Sequence, residues 1–211
     1  YLRLGDGTAA ARYYARDTLY HPGRARAYSN LASLRLLEGH PEAAVRLCNR
    51  SLALRPYDIT ANQILLRALF ALDTLQPAAL VAAGADAATR TGNDGYLLAE
   101  FGGLLGQRHL ESDAEAVLTK ALNSVPPPIE TDDEAFSRTF RNAEGRLDQQ
   151  KAGAAFQLGF PLGRNGRIGE SIRYSRLAIE LDPNLAEPWV NLISGYISAG
   201  QPDRADSSLT E

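Results

Sequence analysis

Residues 152–183 read AGAAFQLGFPLGRNGRIGESIRYSRLAIELDP, and residues 184–205 continue NLAEPWVNLISGYISAGQPDRA. The second stretch can be laid on the first: Leu192 falls on Leu158, Gly200 on Gly166 and Ala205 on Ser171. The common interval, about 34 residues, is of the length that marks a repeat architecture. Each unit is one supersecondary element that buries its apolar face only by stacking on its neighbours. Asn165-Gly166 supplies a turn inside the unit, and Pro183 stops its second half.

The same period runs back through the chain. Pro22 and Pro56 stand one period apart, and Gly39-His40-Pro41 makes a turn between them. Ala25 to Pro56 forms a first full repeat, with Tyr28, Leu31 and Ala32 leading and Ala44, Cys48 and Ser51 following. Ile59 to Arg90 is the second, with Leu65, Leu69, Ala78, Ala82 and Ala85 in the matching places and no closing proline. Asn93 to Pro126 is the third, led by Tyr96, Ala99 and Gly103 and completed by Ala114, Leu118 and Ala121. The interval from Pro56 to Pro126 exceeds two periods by two positions, so one turn is longer. Ala10, Tyr14 and Pro22 fit the second helix of a half-repeat before the first, and the fifth repeat from Ala186 is incomplete.

Pro126-Pro127-Pro128 breaks the rhythm, because three prolines favour an extended segment. Thr131-Asp132-Asp133-Glu134 then has the Thr-x-x-Glu form of a capping box. An inserted helix is expected over roughly Asp132 to Asn142, or one longer helix running into Phe156. Pro161 is expected to kink the first helix of the fourth repeat or end it early. The organisation read from the chain is therefore 1–126, a half-repeat and three repeats; 127–151, a linker and inserted helix; and 152–211, two further repeats.

Trp189-x-x-Leu192-x-x-x-Tyr196, then Gly200 and Ala205, with Pro183 closing the previous unit, resembles the tetratricopeptide repeat. The resemblance implies an all-α solenoid of helix–turn–helix units in a right-handed superhelix, whose first helices line a concave face. It also implies a protein or peptide partner held in that groove. In this register the groove residues are Asn30 and Ser33 in the first repeat, Gln63 and Arg67 in the second and Phe101 in the third. The fourth offers Gln157, Phe160 and Arg164, and the fifth Asn191 and Ser194. Ser29, Phe70, Leu97, Phe156 and Val190 take neighbouring positions. Asn30 and Asn191 directly precede the signature Leu, where peptide-holding members of the family use an amide as donor and acceptor. The other reading is an Asn that bonds a neighbouring helix end. Phe101, Phe156 and Phe160 form an apolar strip in the groove, or at least two of them pack in the core or between repeats.

Composition excludes several classes of function. A net charge of −3 gives no basic footprint for nucleic acid. No run of 18 apolar residues is present to span a membrane, and no cleavable leader opens the chain. Absence of Met, with Tyr1 first, reads as a fragment or processed chain, and the Arg and Ala bias suggests a GC-rich bacterial genome. His21, His40 and His109 fall at turns, and the single Cys48 has no His or Asn context for a nucleophile. Asp132, Asp133 and Glu134 are explained by helix capping without metal. No phosphate loop or zinc spacing stands out. No enzyme activity, cofactor or metal is expected. The expected function is a scaffold for an extended peptide or helix. Two alternatives are a soluble accessory tail of a bacterial cell-envelope glycosyltransferase or polymerase, and a module that self-associates through open repeat ends.

Overall fold

The computed structural model describes residues 7–72, 74–124 and 134–208. Among these residues there are eleven α-helices and no strand. They are α1 (Gly7–Tyr20), α2 (Ala25–Leu37), α3 (Pro41–Leu54), α4 (Ile59–Phe70), α5 (Pro77–Arg90) and α6 (Gly95–Gln107). α7 (Glu111–Leu122), α8 (Glu134–Arg164), α9 (Ile168–Leu181), α10 (Ala186–Ser198) and α11 (Pro202–Ser208) follow. The chain divides into two compact units, residues 1–97 and 98–211. The proline run and Thr131, Asp132 and Asp133 lie outside the described residues.

In the first unit α1 packs on α2, α2 on α3 and α4, α3 on α4, and α4 on α5. Ala32, Ala44, Cys48, Ala61 and Ala68 are all fully buried, so the backbones approach closely, and Leu52, Ile64 and Leu65 fill the remaining space. In the second unit α8 packs on α7, α9 and α10, while α10 packs on α9 and α11. Leu192, Tyr196 and Ala205 form its last core cluster, flanked by Ile172, Ile179 and Ile193.

The turns follow from local chemistry. After α2 the amide of Gly39 donates to the Leu36 carbonyl and that of His40 to Arg35, at 3.0 and 2.9 Å. This double bond pattern needs a left-handed residue, and Gly39 has φ +79°. Gly166 and Gly200 repeat it after α8 and α10, with φ +80° and +70°. After α6 the same pattern is built on His109, with φ +58°. α3 and α5 begin with Pro41 and Pro77, whose missing N–H has no partner to lose in a first turn.

A second device recurs at the start of the first helices. Tyr28 donates from its hydroxyl to the Pro22 carbonyl (3.3 Å), Asn62 from its amide to Pro56 (3.1 Å), and Trp189 from its indole to Pro183 (3.1 Å). In each case the side chain at the signature Trp position latches the carbonyl of the proline that ended the previous repeat.

Two sequence expectations are corrected. The longer interval is the one from the end of α4 at Phe70 to the start of α5 at Pro77, where α2 and α3 are separated only by residues 38–40. The face of α5 therefore moves by two positions. Leu80, Gly84 and Ala87 are buried, whereas Ala78, Ala82 and Ala85 are exposed. The shift carries into α6, where Leu98, Phe101 and Gly102, and not Tyr96, Ala99 and Gly103, hold the signature positions. Gly102 lies so close to Leu118 of α7 that a Cβ there would overlap its side chain. Pro161 does not end its helix: α8 runs on to Arg164, and the Pro161 carbonyl accepts from the Asn165 amide at 3.0 Å. The proline ring lacks an N–H to donate and crowds the carbonyl of residue 157, the expected ground for a kink, but the helix continues past it.

Candidate functional site

Three first helices of the second unit, α6, α8 and α10, carry the candidate site. On α8, Phe156, Phe160 and Arg164 recur at every fourth position, so they share one face. Phe156 is half-buried, Phe160 is 47% exposed and Arg164 is exposed. The two phenyl rings are tilted against each other with centroids 6.0 Å apart. On α10, Val190 stands one repeat period after Phe156 and is 68% exposed. Between the two helices is a cleft of about 450 Å³ lined by Phe156, Phe160, Ala186, Glu187, Val190, Asn191 and Ser194.

A second cleft, of about 460 Å³, lies on the other side of α8. Gly102, Gly103, Gly106 and Gln107 of α6 form one wall, and Phe156, Gln157, Phe160 and Arg164 the other. The glycines leave this wall without side chains, and the Gln157 amide fills part of the space against Gly103. His109 and Glu111 line its far end, where the Glu111 carboxylate accepts from Asn165 Nδ2 at 2.6 Å.

The predicted site residues separate as follows. Asn30 and Ser33 on α2 and Gln63 on α4 are half-buried, and Arg67 on α4 is exposed. These four belong to the first unit. In the second, the first cleft brings Phe160, Asn191 and Ser194 together, and the second brings Gln157, Phe160 and Arg164 together. Phe101 is only 2% exposed, because the shift in register puts it at the signature Leu position, which packs inward. The neighbouring positions Ser29, Phe70 and Leu97 are buried as well.

Asn191 bonds a neighbouring helix, at side chains along α9 and not at a helix end. Its Nδ2 donates to Ser175 Oγ at 2.7 Å and to Ser171 Oγ at 3.2 Å, both on α9. The Ser175 hydroxyl gives its own proton to the Ser171 carbonyl, so it can only accept from the amide. The Asn191 donors are thereby committed, and its carbonyl is left to accept. Counted back by the same intervals, Asn30 meets Ala10 and Tyr14, so the serine pair has no counterpart there.

Sequence reasoning missed Asn62, which is fully buried and bonded on every side. Nδ2 donates to the carbonyls of Pro56 and Asp58, and Oδ1 accepts from Arg90 Nε and Nη2 at 3.1 and 2.9 Å. Its place one repeat period after Tyr28 was the available signal. Glu187 was missed too, since at the first turn of α10 it reads as a helix-dipole residue.

Elsewhere, burial pushes the Cys48 thiol up to about 12, which keeps it protonated and unreactive at neutral pH. The three histidines are exposed. Among the described residues no three His, Cys, Asp or Glu side chains gather as a metal site. No described helix is long and apolar enough to cross a membrane.

No protein-family model matches the chain, and no curated protein matches it in sequence. Solved structures do match in fold. YrrB, a tetratricopeptide-repeat protein with an unusual peptide-binding site, superposes with a TM-score of 0.59 at 18% identity, over 95% of this chain and 90% of that one. MamA matches with a TM-score of 0.59 at 14% identity, covering 88% of both chains. PilF of Pseudomonas aeruginosa matches with a TM-score of 0.64 at 15% identity, over 87% of this chain and 72% of that one.

Proposed function

We propose that this chain, which has the tetratricopeptide-repeat fold, is a non-catalytic scaffold that holds a segment of a partner protein across its first helices. One observation carries the reading. Phe160 and Val190, two large apolar side chains on adjacent first helices, stand exposed in one cleft with Phe156 beneath them. Covering apolar surface of this kind contributes roughly 25 cal/mol per Å² before the costs of association. The cleft walls are helices already held by the core, so little ordering is needed on binding. Arg164 adds exposed positive charge at the neighbouring α6–α8 cleft for an acidic or carboxylate-bearing ligand, and Arg67 does so separately on a first helix of the first unit. The Asn191 carbonyl and the Ser194 hydroxyl supply polar contacts to a bound backbone.

The test is capture of a binding protein from the source organism by the purified chain, with Val190→Asp and Arg176→Glu beside it. Both positions are exposed, but Arg176 is on α9, away from the cleft. Val190→Asp is expected to lose the captured protein while Arg176→Glu keeps it, both at unchanged helical circular dichroism. Equal capture by all three forms would remove the cleft from the interaction.

A further inference from the structure

Glu187, Asn191 and Ser194 recur at i, i+4 and i+7 along α10, so they form one edge of the α8–α10 cleft. Glu187 is exposed, and among the described residues no hydrogen bond or ion pair engages it. It is the one formal charge among the side chains that line this cleft. The Asn191 amide donates to Ser175 and Ser171, which leaves its carbonyl to accept. The carboxylate and that carbonyl make a pair of acceptors one helical turn apart. Beside them the cleft is apolar, with Phe160 and Val190 exposed and Phe156 half-buried. An acidic segment would be repelled there, and a purely apolar one would cover the carboxylate without pairing it. A cation with hydrogen-bond donors, carried next to an apolar side chain, satisfies both parts.

We propose that the α8–α10 cleft takes a partner segment with a basic residue two positions from a bulky apolar one, the apolar side chain between Phe160 and Val190 and the basic one on Glu187 and the Asn191 carbonyl. The inference rests on the scaffold reading and names the chemistry of the segment. Val190 and Ser194 stand about 4.5 and about 10.5 Å beyond Glu187 along α10, at a rise of about 1.5 Å per residue. Side chains on one face of an extended segment recur about every 6.6 Å, so a residue two positions from the anchor reaches Glu187. The apolar residue supplies the anchor. The charge supplies discrimination against acidic segments, since like charges brought together repel. Arg164 lines the α6–α8 cleft and takes no part.

The experiment selects a phage-displayed library of random dodecapeptides on the purified chain, after removal of those that bind Val190→Gln, a neutral change in the apolar part of the cleft. The enriched peptides are expected to carry Lys or Arg two positions from a large aliphatic or aromatic residue. Selection on Glu187→Arg is expected to put Asp or Glu in place of that Lys or Arg. By fluorescence anisotropy, the most enriched wild-type peptide is expected to bind the near-isosteric Glu187→Gln about three-fold more weakly at low salt, with a smaller difference at about 1 M salt. Enriched peptides without a basic residue at that place, or a basic preference that both Glu187 variants leave intact at unchanged helical circular dichroism, would overturn the charge assignment and leave the scaffold reading standing. Absence of enrichment over the Val190→Gln form overturns the proposal as well. The capture experiment then decides the scaffold reading separately.

Discussion

Asn62 shows how one polar side chain can hold a joint between repeats. It stands at a place where Tyr28 and Trp189 use an aromatic ring with a polar tip, and it makes the same bond to a proline carbonyl. Its other bonds hold Arg90, which also pairs with Asp86 at the end of α5. Removing a buried group of this kind leaves its partners without hydrogen bonds. Asn62→Ala is expected to lower stability by about 2 kcal/mol, read as a lower urea midpoint at an unchanged slope. His109 is the opposite case. A left-handed non-glycine residue costs on the order of 1–3 kcal/mol, and glycine returns about 0.5–1 kcal/mol of that through unfolded-chain entropy. With φ at +58°, His109→Gly is therefore expected to raise stability by about 0.5–1 kcal/mol, visible as a higher thermal midpoint.

At the scale of elements, the joint between α7 and α9 is held on its outer side by charge. Arg167, just before α9, donates to both Glu115 carboxylate oxygens at 3.0 and 3.2 Å and to Glu170 at 2.7 Å. Its hydrogen bond holds the Glu170 carboxyl below its ordinary value of 4.5, and the two glutamates raise the guanidinium further above its already high range. The sign follows from linkage. Glu170 is more acidic folded than unfolded, so its contribution is present above about pH 4.5 and is lost as pH falls through the lowered folded value. Arg167→Ala is expected to move the Glu170 midpoint up toward the ordinary carboxylate range in a carbon-detected NMR titration. The site is open to water, so about 1 M salt is expected to move the wild-type midpoint the same way.

Over the whole molecule, the cores are local. Leu192, Tyr196 and Ala205 bury themselves against the helix before and the helix after, as Ala32, Cys48 and Ile64 do in the first unit. Stability in such an array is roughly a sum of repeat terms and nearest-neighbour terms. Leu192→Ala should cost about 2–5 kcal/mol where it is made, since Leu192 is 4% exposed. In hydrogen exchange, amides of α9, α10 and α11 are expected to lose protection while those of α2, α3 and α4 keep theirs. Equal loss in all six helices would show that the chain unfolds as one cooperative body.

The repeat period, the Gly and Pro turns and the small residues at Ala32, Ala44 and Ser51 were enough to establish an all-helical repeat chain. These signals are local: a helix end needs a left-handed residue, and a close helix pair needs small side chains, wherever the chain goes afterwards. What the sequence left open was the place of the two extra positions. Ala-rich α5 reads the same in either register, because its Ala78, Ala82 and Ala85 fit the pattern as well as Leu80, Gly84 and Ala87 do. Only packing against α4 chose, and that choice turned Phe101 inward. Asn191 was undecided for a similar reason, since an amide in a groove position serves a ligand or a neighbouring helix equally well. Its partners, Ser171 and Ser175, lie 20 and 16 residues away on α9, and only helix stacking brings them within reach.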